Sequence, residues 1–383
     1  MTDDHGSPAL APLDGLRVLD ISRLQPGAFA GRMLADLGAD VLRVEPPSGS
    51  DPLRTIPGEH DAYNRGKRSI TLDMKHSRAP EVIRRLVSRT DVVLESGRPG
   101  SLEPQGIGYR QLAEEHPALI WCAITAFGQD SPNIDRSGHD ITFLGYSGLL
   151  SLMAGHAIPP TPDFVLGVPL GGLMAVIGVL AAVAERGRTG RGRLVDASIV
   201  DAATWILSEH VARVAQGGAP GWGAAANRRA YRCGDGRLIT VAAAEARTWQ
   251  ALCTGLGRPD LDERLWAPPA EQDEIADALA TIFATRPAAE WVDRLADAGA
   301  AVGPVHEVQD LFEDRHVVAR GSIVELGTAR VVRNPIRLLD ADGREDPVVM
   351  TGPPALGAHT DHALGEAGYQ AHEIAALRAD GVL

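Results

Sequence analysis

The chain has 383 residues, which is more than one hydrophobic core usually serves, so we expect two domains. Its apolar fraction of 44% is typical of a soluble globular protein, and its net charge of −13 excludes a basic nucleic-acid surface. The three cysteines, Cys122, Cys233 and Cys253, form no CxxC pair, which argues against disulfides and a zinc site. With no signal-peptide pattern in residues 1–10, we expect a cytoplasmic protein without a metal.

Strand and helix patterns alternate over the first 130 residues. Short β-rich runs separated by helices imply parallel strands with crossovers, and therefore a doubly wound α/β sheet. Ligands bind such sheets at the carboxyl ends of the strands. The first of these turns, residues 22–27, lacks the glycine fingerprint of a dinucleotide site. The predicted strands are 16–22, 39–44, 69–74, 91–95 and 119–125, and the predicted helices between them include 28–37 and 78–89.

Residues 164–184 contain no charged side chain and are long enough to span a bilayer. We interpret them as a buried helix entered through Pro169 and two glycines, because they are isolated, Gly- and Ala-rich, and followed by a polar turn at 187–190. We therefore expect no membrane partner. A second apolar helix is predicted over 195–214.

The rest of the chain predicts a second, smaller α/β domain. We expect a large domain over 1–215, a linker over 216–227, a small domain over 228–325, and a tail over 326–383 that returns to the large domain. The small domain is predicted to contain a hairpin turn at 231–236, strands at 238–242, 302–305 and 321–325, and helices at 249–256, 271–284 and 288–298.

An ordered set of short motifs covers nearly the whole chain. Each is weak alone, but together they resemble the family III coenzyme A transferases of the CaiB/BaiF type, which include the α-methylacyl-CoA racemases. The resemblance implies an acyl-CoA substrate and two chains intertwined as a homodimer, with a heteromer containing a paralogue as the alternative. The motifs are 13–20, 34–41, Asn64-Arg-Gly-Lys-Arg-Ser69, 71–73, Arg98-Pro-Gly100, 125–129, Gly138-His139-Asp140, 190–192 and 356–361.

The resemblance also implies a coenzyme A site on the large domain. Because the chain is acidic overall, the phosphates need local cations, which basic residues near the strand ends can supply, although a solvated surface charge explains each one equally well. Prolines at 46–47 and at 104 stand where the family pattern has arginines, so contacts to the adenine end are expected to differ. The expected coenzyme A contacts are Leu24, Arg65, Lys67, Arg68, Leu72, Lys75, Val93, Ser96 and Arg98.

The Gly138-His139-Asp140 motif resembles the racemase branch of the family. His139 has the pKa range of a base for a thioester α-proton. The resemblance implies that the backbone N–H of Asp140 stabilises the enolate oxygen and that Glu245 of the partner chain orients the histidine. Without the motif, His139 would be interpreted as a structural histidine, and Glu245 is equally well explained as the exposed start of a helix.

Val168 occupies the place where the family carries an aspartate, which is the acid of the racemases and the nucleophile of the transferases. Valine performs neither role, and Asp163 and His156 are weak replacements whose simpler role is loop solvation. Three functions stay open. The first is racemase- or isomerase-like proton chemistry at the α-carbon. The others are coenzyme A transfer, directly or as a silent subunit, and acyl-CoA binding without catalysis.

Overall fold

The structure, a computed structural model, describes residues 11–153, 162–221, 225–343, 345 and 350–383. The chain divides into two compact units. Unit 1 comprises residues 1–218 and 321–383, and unit 2 comprises residues 219–320. The chain thus leaves unit 1 once and returns to it.

A six-stranded parallel sheet forms the centre of unit 1, in the order β3-β2-β1-β4-β5-β6. This confirms the predicted doubly wound α/β class. The first five strands lie where the β-rich runs predicted them. The strands are β1 (Arg17–Asp20), β2 (Asp40–Glu45), β3 (Arg68–Thr71), β4 (Val92–Glu95), β5 (Ile120–Thr125) and β6 (Leu194–Ser198).

Strand β6 corrects the sequence analysis, which predicted a helix from residue 195 onward. Residues 194–198 instead pair in parallel with β5, and the helix begins at Ile199. Ser198 marks this start, because its hydroxyl accepts a hydrogen bond from the Asp201 N–H at 3.1 Å. The prediction was wrong because the apolar spacing of the helix continues backward through Val195 and Ala197, whereas the partner strand is about 70 residues away in sequence.

Helices cover both faces of the sheet. In the first part of unit 1 they are α1 (Leu24–Asp36), α2 (Pro52–Thr55), α3 (Glu59–Asn64), α4 (Ala79–Val87), α5 (Tyr109–Glu115), α6 (Asp140–Ser147), α7 (Leu149–Met153), α8 (Gly167–Thr189), α9 (Ile199–Trp205) and α10 (Ser208–Ala215), with a 3₁₀ turn at Glu103–Gln105. Helix α8 runs through the predicted polar turn and ends at Gly190, whose φ of 70° suits a residue without a side chain.

Helix α8 is long and apolar enough to cross a membrane by length and composition, with a mean hydropathy of 2.1. In the structure it packs on α1, α9, β5 and β6. Its residues Ala175, Val176 and Val179 are buried in a core shared with the sheet, while Ile177 on another side is 56% exposed. Contacts inside unit 1 thus bury 44% of the most apolar stretch of α8.

Unit 2 has a three-stranded antiparallel sheet of β7 (Arg228–Arg232), β8 (Leu238–Ala242) and β9 (Val302–Pro304). Trp249, Phe283 and Trp291 are at the centre of its core. Its helices confirm the three that were predicted there. They are α11 (Ala246–Leu256), α12 (Pro269–Phe283), α13 (Ala288–Asp297) and α14 (Arg315–Arg320), with 3₁₀ turns at Pro259–Arg264 and Val308–Phe312.

The remaining elements belong to unit 1. They are β10 (Ile323–Leu326), β11 (Ala329–Val332), α15 (Thr360–Glu366) and α16 (Ala371–Ala379). Strand β10, which the sequence analysis assigned to the small domain, pairs only with β11 among the described strands. Leu364, Leu377 and Val382 of the tail are fully buried in the same core as Leu19 and Val93 of the sheet.

Candidate functional site

Three loops that bear predicted site residues follow β1, β4 and β5, which are neighbours in the sheet. The carboxyl ends of parallel strands meet at one edge, so these loops share the edge where such sheets bind ligands. Leu24 follows β1, Ser96 and Arg98 follow β4, and His139 ends the loop after β5.

His139 directly precedes α6, with an extended backbone at φ −125° and ψ 178°. Its side chain is exposed, and its backbone N–H donates to the Thr142 hydroxyl at 3.4 Å. The next N–H, that of Asp140, lies in the first turn of the helix and has no acceptor in the part of the chain that the structure describes. An exposed imidazole is thus adjacent in sequence to an unpaired backbone donor.

The Asp140 carboxylate joins the starts of two helices. Its Oδ2 accepts from the Leu166 N–H at 3.0 Å, and its Oδ1 accepts from the Val168 N–H at 2.8 Å. A carboxylate at a helix start satisfies free N–H groups and interacts favourably with the helix dipole. The sequence analysis assigned a role only to the Asp140 backbone, and no local signal links residues 26 and 28 positions apart.

The Val168 side chain packs in an apolar cluster with Phe143 and Ile199 and is only 8% exposed. The backbone N–H of Val168 therefore holds the residue beside Asp140, while its side chain packs in the core. Asp163, one of the two suggested replacements for the missing acid, is exposed in the loop before α8. The other, His156, lies outside the described residues.

The loop after β4 contacts both neighbouring loops. The Ser96 hydroxyl accepts from the Arg23 N–H at 2.8 Å and donates to the Arg23 carbonyl at 3.0 Å. Exposed Arg98 donates to the Ser137 hydroxyl at 3.4 Å, two residues before His139. Leu24 is 46% exposed and is the one described residue other than glycine with a positive φ, 62°. This arrangement brings Leu24, Ser96, Arg98 and His139 to one region.

The basic residues 65–68 are engaged inside unit 1 instead. Arg65 is buried and pairs with Asp36 at 2.7 Å, while its other donors reach the carbonyls of Ala62 and Val332. Lys67 is buried against Asp20 at 3.1 Å. The Nε and Nη2 donors of Arg65 and all three donors of Lys67 have protein acceptors in this structure, and a contact of either residue with coenzyme A stays a prediction.

Four further expected contacts differ in their exposure. Partly buried Arg68 bridges Asp40 and Glu366, at 2.7 and 2.8 Å. Leu72 and Val93 are almost fully buried in the core of unit 1, so their side chains do not face a ligand in this structure. Their periodicity fits sheet core equally well, which is why sequence alone did not separate the two roles. Lys75 is exposed at a turn after β3, and its contact with coenzyme A stays a prediction.

A buried ion-pair network lies under the same edge, and the sequence analysis missed it. Asp20 contacts Lys67 and Arg43, each at 3.1 Å, and Arg43 also contacts Asp51 at 2.6 Å. Burial alone would raise the pKa of Asp20, but the charges of Lys67 and Arg43 and the Ser22 hydroxyl lower it to about 2. These charges connect the last residue of β1 with β2 and with the residue before β3.

Glu245 belongs to unit 2, where it immediately precedes α11. It is exposed, and its backbone N–H donates to the Thr248 hydroxyl at 3.4 Å. This position fits the helix start that the sequence also suggested. A role beside His139 stays a prediction.

Comparison with known proteins shows the family of this chain. A profile of CoA-transferase family III matches residues 13–360. The chain is 31% identical to the α-methylacyl-CoA racemase of Mus musculus over 388 residues, 97% of each protein. It is 30% identical to the succinyl-CoA–L-malate CoA-transferase alpha subunit of Chloroflexus aurantiacus, covering 97% of this chain and 92% of that protein.

The fold comparison gives the same result. A crystal structure of a CAIB/BAIF family protein from Brucella suis matches 94% of this chain and 100% of its own, with a TM-score of 0.81 and 31% identity. The sequence match thus extends over both units and is supported by the arrangement of their elements. The protein belongs to CoA-transferase family III, whose racemases and transferases process acyl-CoA thioesters.

Proposed function

We propose that this protein removes the α-proton of an acyl-CoA thioester, with His139 as the base. The observation that carries the proposal is the exposed His139 imidazole, which is next in sequence to the Asp140 N–H, a donor without an acceptor among the described residues. A thioester α-proton is a very weak acid, so its removal needs both a positioned base and a donor to the enolate oxygen. These two neighbouring groups supply both, and Arg98 and Lys75 add positive charge for the phosphates.

The hydrocarbon side chain at 168 restricts the reaction. Val168 offers no proton to the other face of an enolate and no nucleophile to a thioester carbonyl. Proton exchange through one base is therefore the chemistry that the described residues support best. The class of product, racemised or otherwise isomerised, depends on an acid from elsewhere.

The test is hydrogen exchange at the α-carbon of a 2-methylacyl-CoA in deuterated water, followed by NMR. We expect exchange with the wild-type protein, none with His139→Ala, and normal exchange with His372→Ala, which removes an exposed histidine from α16. Thioester binding without exchange would contradict the proposal and favour a binding protein.

Coenzyme A transfer is the second candidate. The similarity to a CoA-transferase alpha subunit from Chloroflexus aurantiacus favours it, and because Val168 is no nucleophile, the chain would act as the inactive subunit of a heteromer. In that case the chain is inactive alone and needs a paralogue that carries the aspartate. Transfer activity on mixing the two, with an acyl-enzyme trapped by hydroxylamine on the paralogue, would support this function.

Val168→Asp discriminates between these functions. The new carboxyl would lie in an apolar cluster beside the Asp140 carboxylate, and both effects raise the pKa of an acid. A protonated carboxyl is suited to deliver a proton to an enolate. Gain of racemisation would identify the first function, and gain of coenzyme A transfer the second.

The assembly that we propose is a homodimer in which Glu245 of the partner subunit orients His139. Apolar side chains on and after α9 support it, because isolated apolar side chains are common on a surface but a run of them marks an interface. Trp205 is 67% exposed, Ile206 43%, Val211 56% and Val214 50%.

A further inference from the structure

Glu95 is a buried carboxylate that the proposed mechanism does not use. It ends β4, between β1 and β5 in the middle of the sheet, and is 8% exposed. Its Oε2 accepts from the indole N–H of Trp121 at 3.3 Å. Among the described residues it has no cationic partner, which is unusual for a buried carboxylate.

The turn after β4 folds tightly over this carboxylate. A Cβ atom added at Gly97 would lie 3.0 Å from Glu95 Oε1 and 2.9 Å from Ser101 Oγ, so only glycine fits without displacement. The turn closes with the Ser101 N–H donating to the Arg98 carbonyl at 3.0 Å, and Gly100 has a φ of 77°. The turn thus packs directly on the Glu95 carboxylate.

The same turn carries two residues of the candidate coenzyme A site. Ser96 fixes it to Arg23 on one side, and Arg98 reaches Ser137 in the His139 loop on the other. We therefore expect a change in the charge of the Glu95 carboxylate to change the direction of the Arg98 side chain. We propose that Glu95 is a positioning residue for coenzyme A binding, and that its ionised carboxylate holds the turn in the conformation in which Arg98 contacts the phosphates of coenzyme A.

The surroundings of Glu95 explain why its charge varies in the neutral range. Burial raises its pKa to about 7, although the Trp121 indole and the Gly97 N–H favour the ionised form, and the nearby charge of Glu103 raises the pKa further. The Cys122 thiol of β5 is the other titratable neighbour, and its own pKa is raised by burial. The ionised form accepts hydrogen bonds more strongly than the protonated form.

The inference rests on the proposed function, in which coenzyme A binds unit 1. Calorimetry with coenzyme A tests the proposed function and the role of Glu95 separately. Wild-type protein is expected to bind about tenfold more tightly at about pH 8.5 than at about pH 5.5, the effect of one charged hydrogen bond. Glu95→Gln should show the weaker affinity at both pH values. The control, Glu103→Gln, removes a carboxylate from the same loop. Because Glu103 raises the pKa of Glu95, this variant should keep the tenfold difference in affinity and move its midpoint to slightly lower pH.

The NMR signal of the Trp121 indole N–H, identified by its loss in Trp121→Phe, shows whether the variant is folded. It should shift with pH near neutrality in the wild type and stay constant in Glu95→Gln. Failure of the wild type to bind coenzyme A would refute the proposed function. Binding with the same pH dependence in Glu95→Gln, or an indole signal that titrates in that variant, would refute the role of Glu95 alone.

Discussion

Replacement of Asp140 by alanine tests how the site is held together. The carboxylate accepts the N–H groups of Leu166 and Val168 at 3.0 and 2.8 Å, so Asp140→Ala leaves two donors at the start of α8 without their partner. At a partly exposed position each such bond contributes about 1 kcal/mol, and the charge at the start of α6 adds about 0.5 kcal/mol. The expected loss is about 2–3 kcal/mol in the free energy of unfolding.

Asp201→Ala is the matched control, because Asp201 is an exposed aspartate in the first turn of α9. Its carboxylate accepts no hydrogen bond in the described structure, so only the dipole contribution of about 0.5 kcal/mol is lost. Asp140→Asn, which keeps one acceptor, should lie between the two alanine variants. The destabilisation should therefore be largest in Asp140→Ala, smaller in Asp140→Asn and smallest in Asp201→Ala.

Urea denaturation gives the free energies, and hydrogen exchange followed by mass spectrometry reports the position. In Asp140→Ala the peptide with Leu166 and Val168 should exchange faster, while peptides of unit 2 stay unchanged. The reasoning would be refuted if Asp140→Ala were as stable as Asp201→Ala and if hydrogen exchange at residues 166–168 were unchanged.

The other predictions concern buried charges and the proposed dimer. Lys67→Met should lower the free energy of unfolding by about 3 kcal/mol, because Asp20 loses a buried cation. Exposed Lys75→Met is the control and should change this free energy little in urea titrations. An equal loss of stability in the two variants would contradict the buried network. In wild-type protein the pKa of Glu95 rises on folding from 4.5 to about 7, so folding favours its protonated form. As the pH rises from 4.5 to 7, the free energy of unfolding should thus fall by about 3 kcal/mol more in the wild type than in Glu95→Gln, as measured by denaturation at several pH values. Trp205→Glu places a charge on the proposed dimer interface, so the molar mass measured by light scattering should shift toward that of the monomer. An unchanged molar mass would show that α9 is not part of that interface.

Some features were predictable because they depend on residues close together in sequence. Strands β1 to β5 follow from β-rich runs bounded by turns, and their alternation with helices determines the parallel sheet.

Other features were decided only by the tertiary structure, since they depend on partners distant in the chain. Leu194–Ser198 is a strand because β5 lies beside it, and Arg68 is engaged by Glu366, 298 residues away. The sequence of a basic motif such as 65–68 does not show whether its charges face a phosphate or a buried carboxylate. Sequence determines which charges exist, but burial and distance decide which of them are already paired.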